Sequence, residues 1–172
     1  MKREKILLID GHSILSRAFY GVPFLNNKEG IPTNGIYGFL NILFKEIELE
    51  ETEYVAVAFD VPKPTFRHKL FPEYKGTRKG MPEELKEQVP LLQELLRKMH
   101  MPLLMMEGFE ADDILGTVAK QMQAEGKEVV VVSGDRDLLQ LSDEHIKISI
   151  PKTSKGETKV YSYYPKDVEE EW

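Results

Sequence analysis

Four apolar runs of strand length, each followed by acidic residues, constrain this chain more than any other feature of its sequence. They are KILLID, which ends at Asp10, YVAVAFD, which ends at Asp60, the run at 103–106, and VVVVSGD, which ends at Asp135. Stretches with helical periodicity separate these runs, and the alternation predicts an α/β fold with a mainly parallel central sheet flanked by helices. The four consecutive valines at 129–132 favour a strand that is covered on both faces.

Three stretches have the spacing of helices that face a core. The first is GIYGFLNILFKEI, and the second covers 82–99, where apolar residues recur every three or four positions. Pro90 removes a helical hydrogen bond and is expected to kink or split the second helix. The third stripe runs over 114–122 and is stopped by Gly126. Near the end, the polar stretch PKTSKGETK predicts a flexible connection or a hairpin turn.

The length and composition of the chain fit a single domain over 1–172. The chain has 172 residues with 41% hydrophobic content, which is enough to bury one full-sized core. It contains no cysteine, which excludes disulfides and thiolate catalysis and fits a reducing compartment. No apolar run has the length of a membrane span, and Asp10 interrupts the first run too early for a signal peptide. We therefore expect a cytoplasmic protein without a membrane partner.

Seven carboxylates follow the four apolar runs. Because parallel strands present their carboxyl ends at one edge of a sheet, these side chains are expected to converge on one pocket. So much like charge is unfavourable unless protons or cations neutralise it. Oxygen ligands without cysteine favour Mg²⁺ or Mn²⁺, and the set is large enough for two ions of the kind that assist phosphoryl transfer. The candidate metal ligands are Asp10, Asp60, Glu110, Asp112, Asp113, Asp135 and Asp137.

Each of these acids also has a simpler structural explanation. Carboxylates at a helix start, such as Glu110 and its neighbours, stabilise the helix dipole, and Asp10 before Gly11 is typical of a turn. The same pattern after four successive runs is harder to explain in this way. The repetition therefore favours a shared pocket.

A basic segment that also contains aromatic residues occupies 61–80, between the second apolar run and the long helix. It carries six lysine or arginine residues against one anion, Glu73, so its net charge is +5 in a chain whose net charge is -6. Cations neutralise phosphates and aromatic faces stack on bases, so this composition suits an unpaired nucleic-acid strand. Taken alone, the segment fits a solvated loop equally well. Beside an acidic pocket it favours a nuclease, because such a pocket repels phosphates unless cations lie nearby.

Several motifs in one order carry a resemblance to a known family. The motifs LLIDGHSILSRAFY, PTNGIYGFLN, VAVAFD, PTFRHKLFPEYKGTR, EADDILGTVA and VVSGDRDLLQL resemble those of the 5′-nuclease family of bacterial DNA polymerase I and the flap endonucleases. The resemblance covers 6–137. It implies a PIN-like (resolvase-like) domain that removes 5′ flaps and RNA primers from DNA in replication and repair, using a carboxylate cluster and two Mg²⁺ or Mn²⁺ ions. The basic segment is similar to the family's arch, through which a free 5′ end passes.

The resemblance also implies roles for single residues. The seven acids match the family's acidic positions, and Lys75 and Arg78 match its positively charged pair near the scissile phosphate. These two cations are therefore the catalytic candidates. The family's base-stacking and substrate-contact positions, with two further lysines that are expected to contact phosphates, give the nucleic-acid-binding candidates Phe66, Arg67, Lys69, Tyr74 and Lys79.

The family continues into a helical hairpin that grips duplex DNA and supplies further aspartates to the second metal site. Residues 151–172 are expected to lead into that part, and polymerase domains would follow in a longer parent chain. Two alternatives stay open, a toxin-type PIN ribonuclease, which does not require the long insertion, and a DNA-binding domain with little turnover. A phosphatase of the haloacid dehalogenase type fits less well, because Asp10 is followed by Gly11 and His12 and not by the second aspartate of a DxD pair.

Overall fold

The four apolar runs form neighbouring parallel strands. In the computed structural model, which describes residues 2–171, β1 (Lys5–Asp10), β2 (Tyr54–Ala58), β3 (Leu103–Leu104) and β4 (Glu128–Val132) lie in the order β3-β2-β1-β4. All three pairings are parallel, so the predicted α/β class is confirmed. The third strand is shorter than its apolar run, because Met105 and Met106 leave the sheet and are partly exposed.

A hairpin that the apolar runs did not predict completes the sheet. Strand β5 (Ile146–Ser154) pairs in parallel with β4, and β6 (Glu157–Tyr163) pairs with β5 in antiparallel fashion at the edge. Lys155 and Gly156 connect the two strands with left-handed backbone angles, φ 52° and 81°. Two such residues form the tight turn whose twist matches that of a hairpin. The stretch PKTSKGETK is therefore a hairpin turn.

Helices cover both faces of the sheet. Helices α1, α2 and α5 pack on one face and α6 packs on the other, while the short α3 and α4 lie in the chain between β2 and α5. No helix within residues 2–171 is long and apolar enough to cross a membrane. The helices are α1 (Gly11–Gly21), α2 (Asn34–Glu50), α3 (Phe66–Leu70), α4 (Glu83–Lys86), α5 (Gln88–Lys98), α6 (Ala111–Ala124) and α7 (Pro165–Glu171), with a 3₁₀ helix at Arg136–Leu141.

The helix predicted over 82–99 is split, as Pro90 indicated. Its two parts are α4 and α5, and the interruption falls at Glu87. The ring of Pro90 lacks an N–H and conflicts with the carbonyl four residues earlier, that of Lys86, so the break lies just upstream of the proline.

The valine strand has its side chains in two separate cores. Val130 and Val132 pack with α1, α2 and α5, whereas Val129 and Val131 pack with α6, and each is at most 2% exposed. This alternation follows from the two-residue period of a strand. Because β1 and β4 are apolar and covered on both faces, the polar side chains that follow them lie at the ends of these strands. The carboxyl edge of the sheet is therefore the expected location of a functional site.

Candidate active site

Asp10 ends β1 and is the most deeply buried acid of the carboxyl edge. Its Oδ2 accepts a hydrogen bond from Ser133 Oγ at 2.8 Å, and its Oδ1 accepts from the Ser13 backbone N–H at 3.3 Å, which caps α1. Burial, reinforced by the charges of Asp112 and Asp60, raises the pKa of Asp10 to about 7, although both hydrogen bonds oppose the shift. The side chain is thus held rigidly in a place that disfavours its negative charge.

Asp60 follows β2 and is held between two elements. Its Oδ1 accepts from the Ala111 N–H at 2.7 Å, at the start of α6, and its own backbone N–H donates to Nδ1 of His12 at 3.2 Å. Burial lowers the pKa of His12, opposed by the charge of Asp60. His12 was not among the site residues predicted from the sequence. Its position directly after Asp10-Gly11 was the available signal.

Asp112 lies in the first turn of α6, where several other acids of the edge affect its pKa. Burial raises its pKa to about 6, with further contributions from Asp135, Asp60 and Glu110. Carboxylates influence one another in this way only when they lie near one another. We call Asp10, Asp60, Asp112 and Asp135 the strand-end acids.

Asp135 lies in a turn after β4 that side chains from another element hold in place. Its backbone N–H donates to Ser133 Oγ at 3.0 Å, and its Oδ1 accepts from the Asp137 N–H at 2.9 Å. The neighbouring Gly134 N–H donates to Ser13 Oγ at 2.8 Å. Two serines thus connect Asp10 and Asp135 across adjacent strands. Neither serine was predicted from the sequence, although each lies within three residues of a predicted aspartate.

Arg17 is a further residue of this framework that the sequence analysis did not identify. Its Nη2 donates to the Gly134 carbonyl at 2.6 Å and its Nη1 donates to the Pro151 carbonyl at 3.2 Å. A side chain at Gly134 would collide with the Arg17 guanidinium, so only glycine permits this approach. Arg17 therefore joins α1 to the turn that carries Asp135 and to β5.

Glu110 and Asp113 differ from the strand-end acids, because cations of the basic segment neutralise them. Arg67 Nη1 contacts Glu110 Oε2 at 2.8 Å, and both guanidinium nitrogens donate to Asp113, each at 2.8 Å. Lys75 Nζ also binds Glu110 Oε1. The hydrogen bonds from Arg67 hold the pKa of Asp113 below its usual range. Burial alone would lower the pKa of Lys75, but the hydrogen bond and charge of Glu110 raise it.

The other candidates of the basic segment differ in exposure. Phe66 is partly exposed and packs against Phe109, with ring centroids 5.8 Å apart, whereas the Tyr74 hydroxyl donates to Glu110 Oε2 at 3.3 Å. The tyrosine ring thus lies at the acidic edge. The remaining candidate cations of the segment, Lys69, Arg78 and Lys79, are exposed.

An open groove of about 450 Å³ runs between the basic segment and the turn after β4. Its lining includes Arg67 and Tyr74 from the basic segment and Asp137 from the turn. Within residues 2–171, no three His, Cys, Asp or Glu side chains converge closely enough to hold one ion ready-made. Of the seven predicted ligands, four line this groove, namely Glu110, Asp112, Asp113 and Asp137, whereas Asp60 lines a separate cavity with His12.

Six strands in this order, with acids gathered at the carboxyl edge beneath a basic segment, define an α/β domain of the resolvase-like class. The sequence profile described as "5'-3' exonuclease, N-terminal resolvase-like domain" matches residues 5–172. The chain therefore belongs to this family, as the motif resemblance implied.

Two relatives and one solved structure support this assignment. The chain is 49% identical over 170 residues to DNA polymerase I of Bacillus caldotenax, covering 99% of the chain but only 19% of that polymerase. It is 39% identical over 156 residues to a 5'-3' exonuclease of Aquifex aeolicus, covering 91% of the chain and 54% of that protein. The chain thus spans about a fifth of the polymerase and about half of the exonuclease.

The solved structure shares the fold at low sequence identity. It is the bacteriophage T5 flap endonuclease in a pseudo-enzyme-product complex with DNA and metal ions. It matches with a TM-score of 0.69 and 19% identity, over 98% of this chain and 60% of that one. The PIN-like (resolvase-like) architecture predicted from the sequence is thereby confirmed.

Proposed function

We propose that this chain is a metal-dependent 5′→3′ exonuclease and structure-specific flap endonuclease. Its substrates are DNA with 5′ flaps or RNA primers, and its role is in replication and repair beside polymerase domains such as those of its polymerase relatives. The observation that carries the proposal is the grouping of acids at the carboxyl edge beside the cations of the basic segment. Burial first, and the charges of neighbouring carboxylates second, raise the pKa of Asp10 and Asp112 there. The family membership and the T5 structure with DNA and metal ions support it.

The residues at this edge fit a hard divalent cation. The donors are carboxylate oxygens, which Mg²⁺ and Mn²⁺ prefer, and their repulsion is relieved when a cation lies among them. We propose that two ions bind at the groove when substrate is present. When bound, such ions activate water and neutralise charge on the scissile phosphate. The residues that would hold them are Asp10, Asp60, Glu110, Asp112, Asp135 and Asp137.

The remaining steps belong to the side chains of the basic segment. Lys75 lies beside Glu110, so its ammonium can donate to a phosphate oxygen that enters the groove, and the exposed Arg78 can donate from the solvent side. Donors fixed where negative charge develops stabilise the transition state more than the ground state. Lys69 and Lys79 would contact phosphates, and the rings of Phe66 and Tyr74 would contact bases.

A cleavage assay tests the proposed activity. We expect a labelled 5′-flap DNA to be cut with Mg²⁺ or Mn²⁺ and to remain intact in EDTA. Single-stranded RNA of the same sequence and a phosphomonoester should be poor substrates. Equal cleavage of the single-stranded RNA would instead support a ribonuclease of the same fold. DNA binding without cleavage at millimolar Mn²⁺ would support a binding module.

A further inference from the structure

Asp113 is the acid of the groove that a guanidinium binds in bidentate fashion. Its Oδ1 accepts from Arg67 Nη2 at 2.8 Å, and its Oδ2 accepts from Arg67 Nη1 at 2.8 Å. The same Oδ2 also accepts from the Glu110 backbone N–H at 3.0 Å. A bidentate guanidinium pair of this kind combines charge with fixed geometry, unlike the single point contact of an ammonium group. Both oxygens of Asp113 are therefore engaged by the chain itself.

The Arg67–Asp113 pair also fixes the basic segment to α6. The Phe66 backbone N–H donates to the Gly108 carbonyl at 2.9 Å, and the Phe66 ring packs on Phe109. The Arg67 guanidinium lies 4.5 Å from the centroid of the Phe66 ring. Helix α3 is thus attached to the start of α6 by a backbone bond, an aromatic contact and the bidentate ion pair.

We propose that Asp113 is a positioning residue and that, with Arg67, it forms a latch that holds the base of the basic segment beside the strand-end acids. The latch fixes where Lys75 lies, because Lys75 follows Arg67 by only eight positions in the chain. Lys75 contacts Glu110 through a single ammonium and is the cation that exchanges between Glu110 and a phosphate. This inference rests on the proposed function, since it places divalent ions at the same edge.

Manganese binding to the intact chain separates a ligand from a latch. A lost ligand weakens binding on the order of tenfold or more, so we expect that for Asp112→Asn by calorimetry. Asp113→Asn should bind Mn²⁺ within about threefold of wild type, because it removes nearby charge but no ligand. Arg67→Met should bind Mn²⁺ more tightly, since a cation that competes for Glu110 is gone. Lys69→Met is the matched charge control and should change little.

Amide hydrogen exchange tests the mechanical part of the latch. The reporters are the N–H groups of Phe71, Tyr74 and Gly76, which donate to backbone carbonyls inside the segment. Arg67→Met and Asp113→Asn should each speed their exchange roughly fivefold to tenfold, as expected for a charge-assisted bidentate pair at a partly exposed site. The double variant should be no faster than the singles, because both break one contact. Lys69→Met should leave exchange unchanged.

A second arginine variant separates charge from fork geometry. Arg67→Lys keeps a cation near Glu110, so its Mn²⁺ affinity should stay close to wild type, but it lacks the fork, so exchange should remain fast. Asp113→Asn binding Mn²⁺ as weakly as Asp112→Asn would overturn the latch. Unchanged exchange in both single variants would also overturn it. If Asp112→Asn bound Mn²⁺ normally, the ion site and not the latch would be refuted, and the exchange data would still decide the latch.

Discussion

Two regions of the sheet bury a carboxylate that accepts a serine hydroxyl. At the carboxyl edge, Asp10 Oδ2 accepts from Ser133 Oγ at 2.8 Å, and between α2 and β5, Glu46 Oε1 accepts from Ser149 Oγ at 2.6 Å. Burial raises the pKa of both groups above their ordinary values. The two serines are neighbours, since Ser133, directly after β4, donates its backbone N–H to the carbonyl of Ser149 in β5. In local geometry the two regions are therefore nearly alike.

The two carboxylates differ in the charged groups around them, because lysines lie near Glu46 only. Around Asp10 the further charged groups are acids, and their charges raise its pKa further. Around Glu46, Glu50 also raises the pKa, but Lys147 and Lys45 lower it. Glu50 in turn binds Lys147 and, at 2.9 Å, Lys5. A buried carboxylate is thus not enough to mark a site. The distinguishing feature is the source of the compensating positive charge, which is either a lysine of the chain or a cation bound from solution.

The largest expected effect is on the rate of cleavage, and it concerns Lys75, which pairs with Glu110 at the carboxyl edge. Lys75→Met should lower the single-turnover rate of flap cleavage on the order of 10²-fold, because a preorganised donor to developing phosphate charge is lost. Binding of the flap DNA should weaken far less, since the other cations of the segment remain. The measurement is the cleavage rate at saturating protein, with Mn²⁺ present.

Lys69→Met is the control, because it removes one cation of the same segment from an exposed position. It should weaken DNA binding and its salt dependence without changing the saturated rate. Equal saturated rates for wild type and Lys75→Met would remove the catalytic role from Lys75. Lys75 would then only compensate the charge of Glu110, as Lys147 does for Glu50 in the buried region.

The lysine of the buried region should instead affect stability. Lys147→Met leaves Glu50, which is 6% exposed, with Lys5 alone, and we expect a loss of about 2 kcal/mol in the free energy of unfolding at pH 7. Burial opposes the shift, but hydrogen bonds from Lys147 and Lys5 hold the pKa of Glu50 below its ordinary 4.5. A lowered pKa supplies stability that is present above pH 4.5 and lost as pH falls through the folded-state pKa.

The stability deficit of Lys147→Met should therefore shrink as pH falls below about 4.5, as measured by urea denaturation at several pH values. A deficit that stays constant from pH 7 to pH 3 would mean that packing of the lysine stem, and not its charge, stabilises this region. Mn²⁺ should not alter the deficit.

The sequence predicted the edge better than the buried region for a physical reason. Strand and helix periodicity, with the rule that parallel strands share a carboxyl edge, was sufficient to bring Asp10, Asp60 and Asp135 together. The residues that hold them in place were missed, because Ser13 and Arg17 act through hydrogen bonds to a distant turn that no local pattern specifies. Tertiary contacts of this kind leave no periodic signal.

The buried region and the hairpin were missed for related reasons. Glu46 and Glu50 lie four residues apart on α2 and look like ordinary surface acids until β5 packs over them. Strand β5 alternates isoleucine with polar residues, and a proline and two lysines obscure its second half and its partner β6. The arrangement of Arg67 on Asp113 was also beyond prediction, because the segment has six cations and only geometry selects among them.

A smaller effect should distinguish the acids of the edge by their response to ions. At pH 8 in EDTA, Asp112→Asn should raise the melting temperature by about 2–4 °C, since it removes one charge from a repelling group worth about 1 kcal/mol. With saturating Mn²⁺ the order should reverse, because wild type binds the ion more tightly and gains more stability from it. Calorimetric melting in both conditions measures this. A variant that is less stable in EDTA as well would show that the strand-end acids do not repel one another.

The smallest expected effect tests whether the buried region depends on ions at all. Glu46 is fully buried, and its Oε2 has no hydrogen-bond partner within residues 2–171. Burial, with the charge of Glu50, raises its pKa, so the stability linked to its proton is fully present below pH 4.5 and declines as pH rises through the folded-state pKa. Glu46→Gln carries no charge at any pH and should escape that decline. The variant should match wild type at pH 4 and be more stable by up to about 1 kcal/mol at pH 8.

Unlike Asp112→Asn, the Glu46→Gln variant should keep its advantage in Mn²⁺ and cleave flap DNA at the wild-type rate. Urea denaturation at pH 4 and pH 8, with and without Mn²⁺, measures the stabilities, and the flap-cleavage assay measures the rate. Lower stability than wild type at pH 8 would show that Lys147 and Lys45 compensate the Glu46 anion fully. In that case the contrast between the regions would be sharper still, because every buried charge of the α2–β5 region would have its own cation, and only the edge would require one from solution.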